Sequence, residues 1–213
     1  MHTLIKTLQK ISTKYAPSRN LSFDIVHIFK TLQLAEINGH ISRSILCKEL
    51  DLGEGSVKTL IKHLKMNNII ITSNSGTVLT EKGKKILHDI LLIIPSETKL
   101  PKSSITLAKF NYSVLMKNLG NIIGSGIEQR DAAIRLGARG ATTLIFDGKN
   151  FLIPGTDYDT LSKEPVIKKL LLKRLRPEIN DVIIIGSDDH DEKIAELATK
   201  NAAILTIMDH TDH

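Results

Sequence analysis

ISRSILCKELDLGEGSVKTLIKHLKMNNIIITSNSGTVLT, residues 41–80, has the pattern of two short helices joined by a tight turn and followed by a hairpin. Ser42 can cap the first helix, because its hydroxyl accepts a hydrogen bond from an amide of the first turn. That helix is predicted to end after Leu50, and we expect Gly53 to supply the backbone conformation that a sharp stop requires. This order of elements predicts a winged helix-turn-helix over residues 20–92.

The second helix, residues 54–66, is predicted to be amphipathic. Four apolar residues recur at i, i+3, i+4 and i+7 and form one stripe, namely Val57, Leu60, Ile61 and Leu64. Six polar residues are predicted to face water: Ser56, Lys58, Thr59, Lys62, His63 and Lys65. Lysines contact phosphates, while Ser, Thr and His side chains reach base edges, so this face suits a DNA groove. A solvated surface helix is the alternative, and the order of the surrounding elements favours DNA binding.

A hairpin tipped by Ser73-Asn74-Ser75-Gly76 follows the second helix. Its flanks, residues 69–72 and 77–79, have strand-forming composition and predict two strands. This hairpin would be the wing, and its tip would follow the DNA backbone. The predicted DNA contacts are therefore Arg43, Ser56, Lys58, Thr59, Lys62, His63, Asn74 and Ser75.

The formal net charge of +6 lies entirely in the first half of the chain. Residues 1–95 contain 13 Lys and Arg against 7 Asp and Glu, whereas residues 96–213 contain 16 against 16. A basic surface attracts a polyanion through counterion release, so we expect double-stranded DNA as the partner and an affinity that falls steeply with salt. No apolar run predicts a membrane span or a signal peptide, so we expect a soluble, cytoplasmic protein. The single Cys47 is expected to be a small buried apolar residue in a reducing compartment.

Two more helices are predicted ahead of residue 41. Residues 3–15 form a short basic amphipathic helix that Pro17 interrupts. This arm contacts DNA, packs on a partner subunit or stays frayed, and the sequence does not rank these alternatives. From Ser22 the apolar spacing resumes and predicts the first core helix, which ends near Asn38-Gly39.

Behind the wing, Thr80 is placed to cap a helix whose far half is nearly apolar before Pro95 stops it. So broad an apolar surface predicts packing on a second domain or pairing in a homodimer, which would match two half-sites on a duplex. Pro95 to Pro101 is predicted to be the linker. The predicted domains are therefore residues 1–95 and 102–213.

The second domain alternates strand and helix signals. Its predicted strands are residues 105–114 with a bulge at Ala108-Lys109, residues 141–146 and 151–153 joined by an Asp-Gly turn, and residues 182–185. Three helices are predicted in this domain. The first follows Gly126 and ends near Leu136, the second is capped by Ser162 and ends near Leu175, and the third follows Ser187 and ends near Lys200. Residues 202–208 extend the last helix or form a last strand. The chain is thus predicted to be α+β, with the winged helix-turn-helix followed by a small α/β sandwich domain.

Two segments of the second domain could carry chemistry. Gly124-Ser125-Gly126 at a helix start could offer amides to a small anionic effector, with Arg130, Asp131 and Arg135 in reach, although a capped turn explains the same residues. The acidic segment from Ser187 to Glu192 is explained by the helix dipole. No ligand spacing predicts a metal site, and no nucleophile and base form a pair. We therefore expect no metal, no cofactor and no catalytic residue.

Several stretches of the sequence resemble a known family. ISR at 41–43, LDLGEGSVKTL at 50–60 and LTEKG at 79–83 resemble the winged-helix part of predicted archaeal transcriptional regulators. RDAAIR at 130–135, GATTL at 140–144, PG at 154–155 and VIIIGS at 182–187 resemble the uncharacterised C-terminal domain of that family. The resemblance covers nearly the whole chain after Pro17. It implies a regulator of transcription, and it implies no activity for the second domain.

Together these observations predict a dimeric, DNA-binding transcriptional regulator whose second domain senses an effector or dimerises. Two other classes stay open. In the first, the winged helix docks a protein of the transcription machinery. In the second, the C-terminal domain is an enzyme for a small anionic metabolite.

Overall fold

The computed structural model describes residues 2–12, 21–74 and 76–209. The chain divides into an N-terminal unit, Met1–Ile90, and a C-terminal unit, Leu91–His213. Both units contain helices and strands, which confirms the predicted α+β class. Within the described ranges, no helix has both the length and the apolar character needed to cross a bilayer.

The N-terminal unit is a winged helix-turn-helix, as predicted. Its elements are α1 (His2–Ser12), α2 (Ile25–Asn38), α3 (Arg43–Leu50), α4 (Glu54–Met66), β1 (Ile70–Ser73), β2 (Gly76–Leu79) and most of α5 (Glu81–Ile93). The apolar stripe of α4 is buried, which confirms the helical spacing. The pairing of β1 with β2 is antiparallel and forms the wing.

The turn between α3 and α4 differs from the prediction in one residue. Ser42 caps α3 as expected, because its Oγ accepts from the Ile45 amide at 3.3 Å. Asp51, with φ 53°, provides the left-handed residue that ends α3. Gly53 has φ −64° and is the extended N-cap of α4, so the prediction for Gly53 was wrong. The short polar side chain of Asp tolerates the left-handed conformation, which makes the glycine unnecessary there.

The apolar side of α1 packs inside the N-terminal unit. Leu4, Ile5, Leu8 and Ile11 are all buried, and α1 contacts α2. This side is therefore occupied by the chain's own core and does not face a partner subunit. Pro17 and its neighbours, residues 13–20, lie outside the described part of the chain.

Backbone hydrogen bonds fix the wing to the start of α3. The amides of Ile41 and Thr77 each donate to the other residue's carbonyl at 2.9 Å, so Ile41 adds a bridge to β2. Gly76 makes this approach possible, because a Cβ at that position would lie 3.0 Å from the Ile41 carbonyl oxygen and its φ is 130°.

Helix α5 starts against the back of the wing. The Gly83 amide donates to Thr80 Oγ1 at 3.1 Å, which confirms Thr80 as the cap. Gly83 is buried, and a Cβ there would overlap the Ile69 carbonyl oxygen. The absence of a side chain at residue 83 therefore sets how closely α5 approaches Ile69, the residue before β1.

The C-terminal unit is a five-stranded sheet with helices on both faces. Its strands are β3 (Ser96–Leu100), β4 (Phe110–Met116), β5 (Gly140–Phe146), β6 (Phe151–Leu152) and β7 (Val182–Asp188), in the order β3-β4-β7-β5-β6 with every pair antiparallel. Its helices are α6 (Ile127–Arg135), α7 (Pro165–Leu175) and α8 (Glu192–Asp209). Helices α6 and α8 pack on one face, and α7 covers an apolar core on the other. All seven residues of β7 are buried, which confirms the predicted central strand.

Three predictions for the C-terminal unit were wrong, and one open alternative is decided. The predicted linker forms β3, an edge strand paired with β4, so this unit begins at Leu91 rather than at residue 102. Residues 105 and 107 lie in a loop ahead of β4, and no strand or bulge forms there. Helix α7 begins at Pro165 with Glu164 as its N-cap, so Ser162 does not cap it. The last helix starts at Glu192 and continues to Asp209, so residues 202–208 extend that helix, which is one of the two predicted alternatives.

Helix α8 approaches the sheet most closely at Gly186. The Gly186 amide donates to Thr199 Oγ1 at 3.0 Å, and Thr199 Oγ1 in turn lies 2.6 Å from the Ala195 carbonyl oxygen. A Cβ at residue 186 would overlap Thr199 Oγ1. Gly186 therefore sets the position of α8, which forms one wall of the cavity described below.

We expect Gly83→Ala to destabilise the N-terminal unit by about 1–3 kcal/mol, because the added methyl group overlaps a backbone carbonyl that cannot move freely. Gly55→Ala is the matched control, since a Cβ at residue 55 meets no atom within 4 Å. In the first turns of α4 this change should stabilise by about 0.5–1 kcal/mol. Urea unfolding followed through the amide signals of α4 measures the change in the free energy of unfolding for each variant. Equal changes in the two variants would contradict the close approach of α5 to Ile69.

His27 should make the stability of the N-terminal unit depend on pH. Its Nδ1 accepts from the Asp24 amide at 2.9 Å, so this nitrogen must carry no proton. Burial lowers the pKa of His27, although the negative charges of Asp24 and Asp51 act in the opposite direction and raise it. The folded state therefore resists a proton that the unfolded chain takes up.

We expect the contribution of His27 to the free energy of unfolding to be constant above the unfolded-state pKa of about 6.5 and to decrease as the pH falls below it. His27→Gln keeps an acceptor for the Asp24 amide but does not titrate. The variant should therefore lose less stability than the wild type between about pH 7.5 and about pH 5 in urea unfolding. Identical losses in the two proteins would show that His27 is not the responsible group.

Candidate nucleic-acid interface

A groove of about 680 Å³ lies between α4 and the wing. Its walls carry four basic side chains, Arg43, Lys58, Lys62 and Lys65. Polar residues of the wing and of the start of α3 also line it, including Ser42, Thr72, Ser73 and Asn74, and so do the apolar residues Ile41, Ile61 and Met66. The groove is therefore strongly basic, with uncharged hydrogen-bonding groups along the wing side.

The three lysines form a stripe of their own on α4. Lys58, Lys62 and Lys65 are spaced i, i+4 and i+7, so they lie on one side of the helix. All three are exposed, and no carboxylate of the described residues forms an ion pair with them. Like charges at this spacing destabilise a helix slightly. A bound polyanion would relieve this repulsion.

The structure brings together half of the predicted DNA contacts. Arg43, Lys58, Lys62 and Asn74 line the groove, whereas Ser56 and Thr59 lie on α4 outside it. The Thr59 hydroxyl is exposed and donates to the Gly55 carbonyl at 2.9 Å. Ser75 lies outside the described residues. Lys65 was missed as a contact, although its i+7 spacing from Lys58 is visible in the sequence.

His63 does not face the groove, so its predicted role as a DNA contact was wrong. The side chain is 2% exposed, its Nε2 is hydrogen bonded to the Ile11 carbonyl, and its ring lies edge-on to Phe23 at 5.6 Å. Helix α1 thus covers the side of α4 opposite the lysines. The α4 pattern alone cannot show this, because the covering residues lie more than 50 positions earlier in the chain.

Cys47 lies near the same basic residues. It is half-buried rather than fully buried, and it lines a second hollow together with Arg43, Ser44, Glu54, Gly55 and Lys58. The side of the helix-turn-helix that carries the turn is therefore also accessible next to the groove.

The Gly-Ser-Gly turn of the C-terminal unit is explained by backbone geometry. Gly126 has φ 79°, and a Cβ there would lie 3.0 Å from Thr143 Cβ. Ser125 Oγ accepts from the Ile127 amide at 3.4 Å, and Arg130 pairs with Asp131 at 2.9 Å. Of the predicted ligand residues, Gly124, Asp131 and Arg135 line a cavity between α6 and α8, whereas Ser125, Gly126 and Arg130 do not.

The acidic segment before α8 also has a structural role. Asp188 is 4% exposed, and its Oδ1 accepts from the amides of His190 and Asp191 at 2.8 and 2.7 Å. Asp191 accepts from the Lys193 amide at 2.8 Å. Across the described part of the chain, no group of three or more His, Cys, Asp or Glu side chains is arranged to hold a metal ion.

A buried ion cluster joins β3 to α8. Lys200 is 1% exposed, and its Nζ lies 2.9 Å from Glu97 Oε1 and 2.6 Å from Glu196 Oε1. Burial and the charges of Glu97 and Glu196 raise the pKa of the neighbouring Tyr112. The two carboxylates satisfy the buried amine, so the cluster holds the edge strand in place.

The fold and the basic groove define a two-unit protein with an N-terminal winged helix-turn-helix. Residues 25–85 match the family model described as PH0730-like, N-terminal domain, and residues 107–207 match the model described as Domain of unknown function (DUF4443). The chain is similar to the solved structure of hypothetical protein PH0730 from Pyrococcus horikoshii OT3, with 25% identity and a TM-score of 0.68. That similarity covers 90% of this chain and 97% of the Pyrococcus chain. No protein of curated function matches.

We expect His63→Ala to reduce the free energy of unfolding of the N-terminal unit by about 2–4 kcal/mol, because it removes a buried ring and its hydrogen bond. Lys62→Ala, at the exposed neighbouring position, should change it by less than about 0.5 kcal/mol. Urea unfolding of both variants makes the comparison. A His63→Ala protein as stable as the wild type would contradict the packing of α1 on α4.

Proposed function

We propose that the protein is a transcriptional regulator that binds double-stranded DNA through α4 and the wing. The observation that carries the proposal is the stripe of three lysines without carboxylate partners, which lines one groove with Arg43. Such a stripe has no stabilising role inside the protein. It is what a surface that neutralises phosphates requires.

The groove also offers uncharged groups for positioning and for base contacts. Asn74 and Ser73 lie on the wing side, where amide and hydroxyl groups can bind phosphate or sugar oxygens. Outside the groove, Thr59 is exposed on the neighbouring surface of α4, and its hydroxyl oxygen can accept from a base while it donates to Gly55. In the proposal, the lysines supply most of the affinity and these polar groups supply the sequence preference.

A homodimer in the cytoplasm completes the proposal. Two copies related by a two-fold axis would contact two half-sites of a duplex, which is how winged and other helix-turn-helix proteins gain specificity. For the C-terminal unit we propose no anionic effector, because the cavity there is lined by more carboxylates than cations.

The test compares two double variants with the same change in charge. Lys58→Ala with Lys62→Ala should weaken binding to all duplexes by about tenfold or more and lower the slope of log K against log salt by about 2, since each phosphate contact contributes about 0.9. Lys84→Ala with Lys85→Ala is the control, because these lysines of α5 pair with Glu81 and Asp89 and lie outside the groove. The control should keep most of the wild-type affinity.

The measurement is fluorescence anisotropy at several salt concentrations, with a duplex from the protein's own upstream region and a scrambled duplex. Stronger binding to the native duplex supports a sequence-specific regulator. Equal loss in the two double variants would reject the assigned groove. Negligible binding of the wild type to both duplexes would reject DNA as the partner and favour docking of a protein.

A further inference from the structure

Positive charge is concentrated in and around helix α7 of the C-terminal unit. Residues 163–176 contain six Lys and Arg against one Glu, whereas residues 96–213 as a whole contain 16 against 16. The rest of this half of the chain is therefore negative, with 10 cations against 15 acids. Such a separation of charge creates a positive potential at one surface of a unit that has no net charge.

The apolar side of α7 is occupied by the core of its own unit. Ile167, Leu171 and Leu175 are at most 3% exposed and belong to the apolar core on that face of the sheet. Lys169 and Lys173 are exposed, and their positions in the helix place them on the side opposite these three residues. Helix α7 therefore presents charge outward at the centre of its exposed side.

Within the described residues, the exposed cations of this segment have no carboxylate partner. They are Lys163, Lys169, Lys173, Arg174 and Arg176. The sixth cation, Lys168, is half-buried and pairs with Asp159 at 3.4 Å. The helix dipole favours cations in the last turn, but it gives no reason for Lys169 in the middle of the helix.

The acidic residues at the two ends of α7 are engaged elsewhere. Glu164, the N-cap, accepts from the Ser104 amide at 2.9 Å. Glu178, beyond the last turn, pairs with Lys117 at 2.7 Å. The five exposed cations therefore repel one another with no carboxylate placed to compensate them, and a row of phosphates would supply that compensation.

Duplex DNA fits this surface better than a lipid bilayer does. A bilayer holds an amphipathic helix mainly through its apolar side. Among the Val, Ile and Leu residues of α7, only Val166 and Leu172 are exposed, so little of that side is free. Phosphates, in contrast, require only accessible cations.

We propose that α7 is a second DNA-binding surface of this protein, which contacts phosphates through Lys169 and Lys173. Arg174 and Arg176 add positive charge beside them. The contacts are to the backbone, so they raise affinity for every duplex and carry no sequence preference. The proposal rests on the proposed function for its ligand, double-stranded DNA, but it concerns a different surface and is tested separately.

The test removes two charges from α7 and two from elsewhere in the same unit. In the full chain, Lys169→Ala with Lys173→Ala should lower the slope of log K against log salt by about 2 and weaken binding by about fivefold or more. Lys109→Ala with Arg139→Ala is the control, because both are exposed cations outside α7. The control should change the slope by less than about 0.5.

A charge-preserving variant shows whether the charge itself is responsible. Lys169→Arg with Lys173→Arg should keep the wild-type slope, since a phosphate contact requires only the cation. Fluorescence anisotropy at several salt concentrations measures all the variants, and unchanged urea midpoints show that they are folded. A loss in the arginine variant as large as in the alanine variant would overturn the proposal, and so would equal losses in the alanine variant and the control.

The groove variant, Lys58→Ala with Lys62→Ala, is measured alongside so that the two surfaces are judged separately. Loss of binding in the groove variant alone would overturn the proposal for α7 and leave the proposed function in place. Loss in the α7 variant alone would support α7 and reject the groove. If the α7 variant kept its DNA affinity but lost binding to vesicles of anionic phospholipid, the surface would belong to a lipid partner and the proposal would fail.

Discussion

The two hydrogen bonds between Ile41 and Thr77 are the constraint on which the groove depends. They join the start of α3 to the second strand of the wing, and Gly76 permits that approach. Because α3 is packed against α4, the same bonds place the wing beside the lysine stripe. Without them, a two-stranded hairpin of this length would have little stability, and the groove would have no second wall.

Helix α4 is asymmetric as a result of its surroundings. Its apolar stripe faces the core and α1 covers the side that holds His63, whereas the side that carries the lysines is exposed. The repulsion among Lys58, Lys62 and Lys65 therefore acts on a surface that a ligand can reach. The packing of α1 therefore determines which of the polar residues on α4 can take part in binding.

The sequence was sufficient for features set by local chemistry. The apolar spacing of α4, the Ser42 cap and the Asp147-Gly148 hairpin each depend on residues a few positions apart, and each is confirmed. Strand β3 was not predictable in this way, because two prolines bracket polar residues whose pairing comes from β4 and from buried Lys200. The prediction for His63 failed for the same reason, since its partner is Ile11 in a distant helix. The groove residues that the sequence did indicate, Arg43, Lys58, Lys62 and Asn74, were recognisable from the order of the local elements.

The tip of the wing, residues 73–76, contains no charged residue, whereas the cations that line the groove lie on α3 and α4. In the proposed function, general attraction and discrimination are therefore encoded in separate parts of the chain. Substitutions among Ser, Asn, Thr and Gly at the tip could change which duplex is preferred while the charge on α4 stays constant. Such a division makes the protein evolvable, because a descendant could acquire a new target site without passing through a form that no longer adheres to DNA.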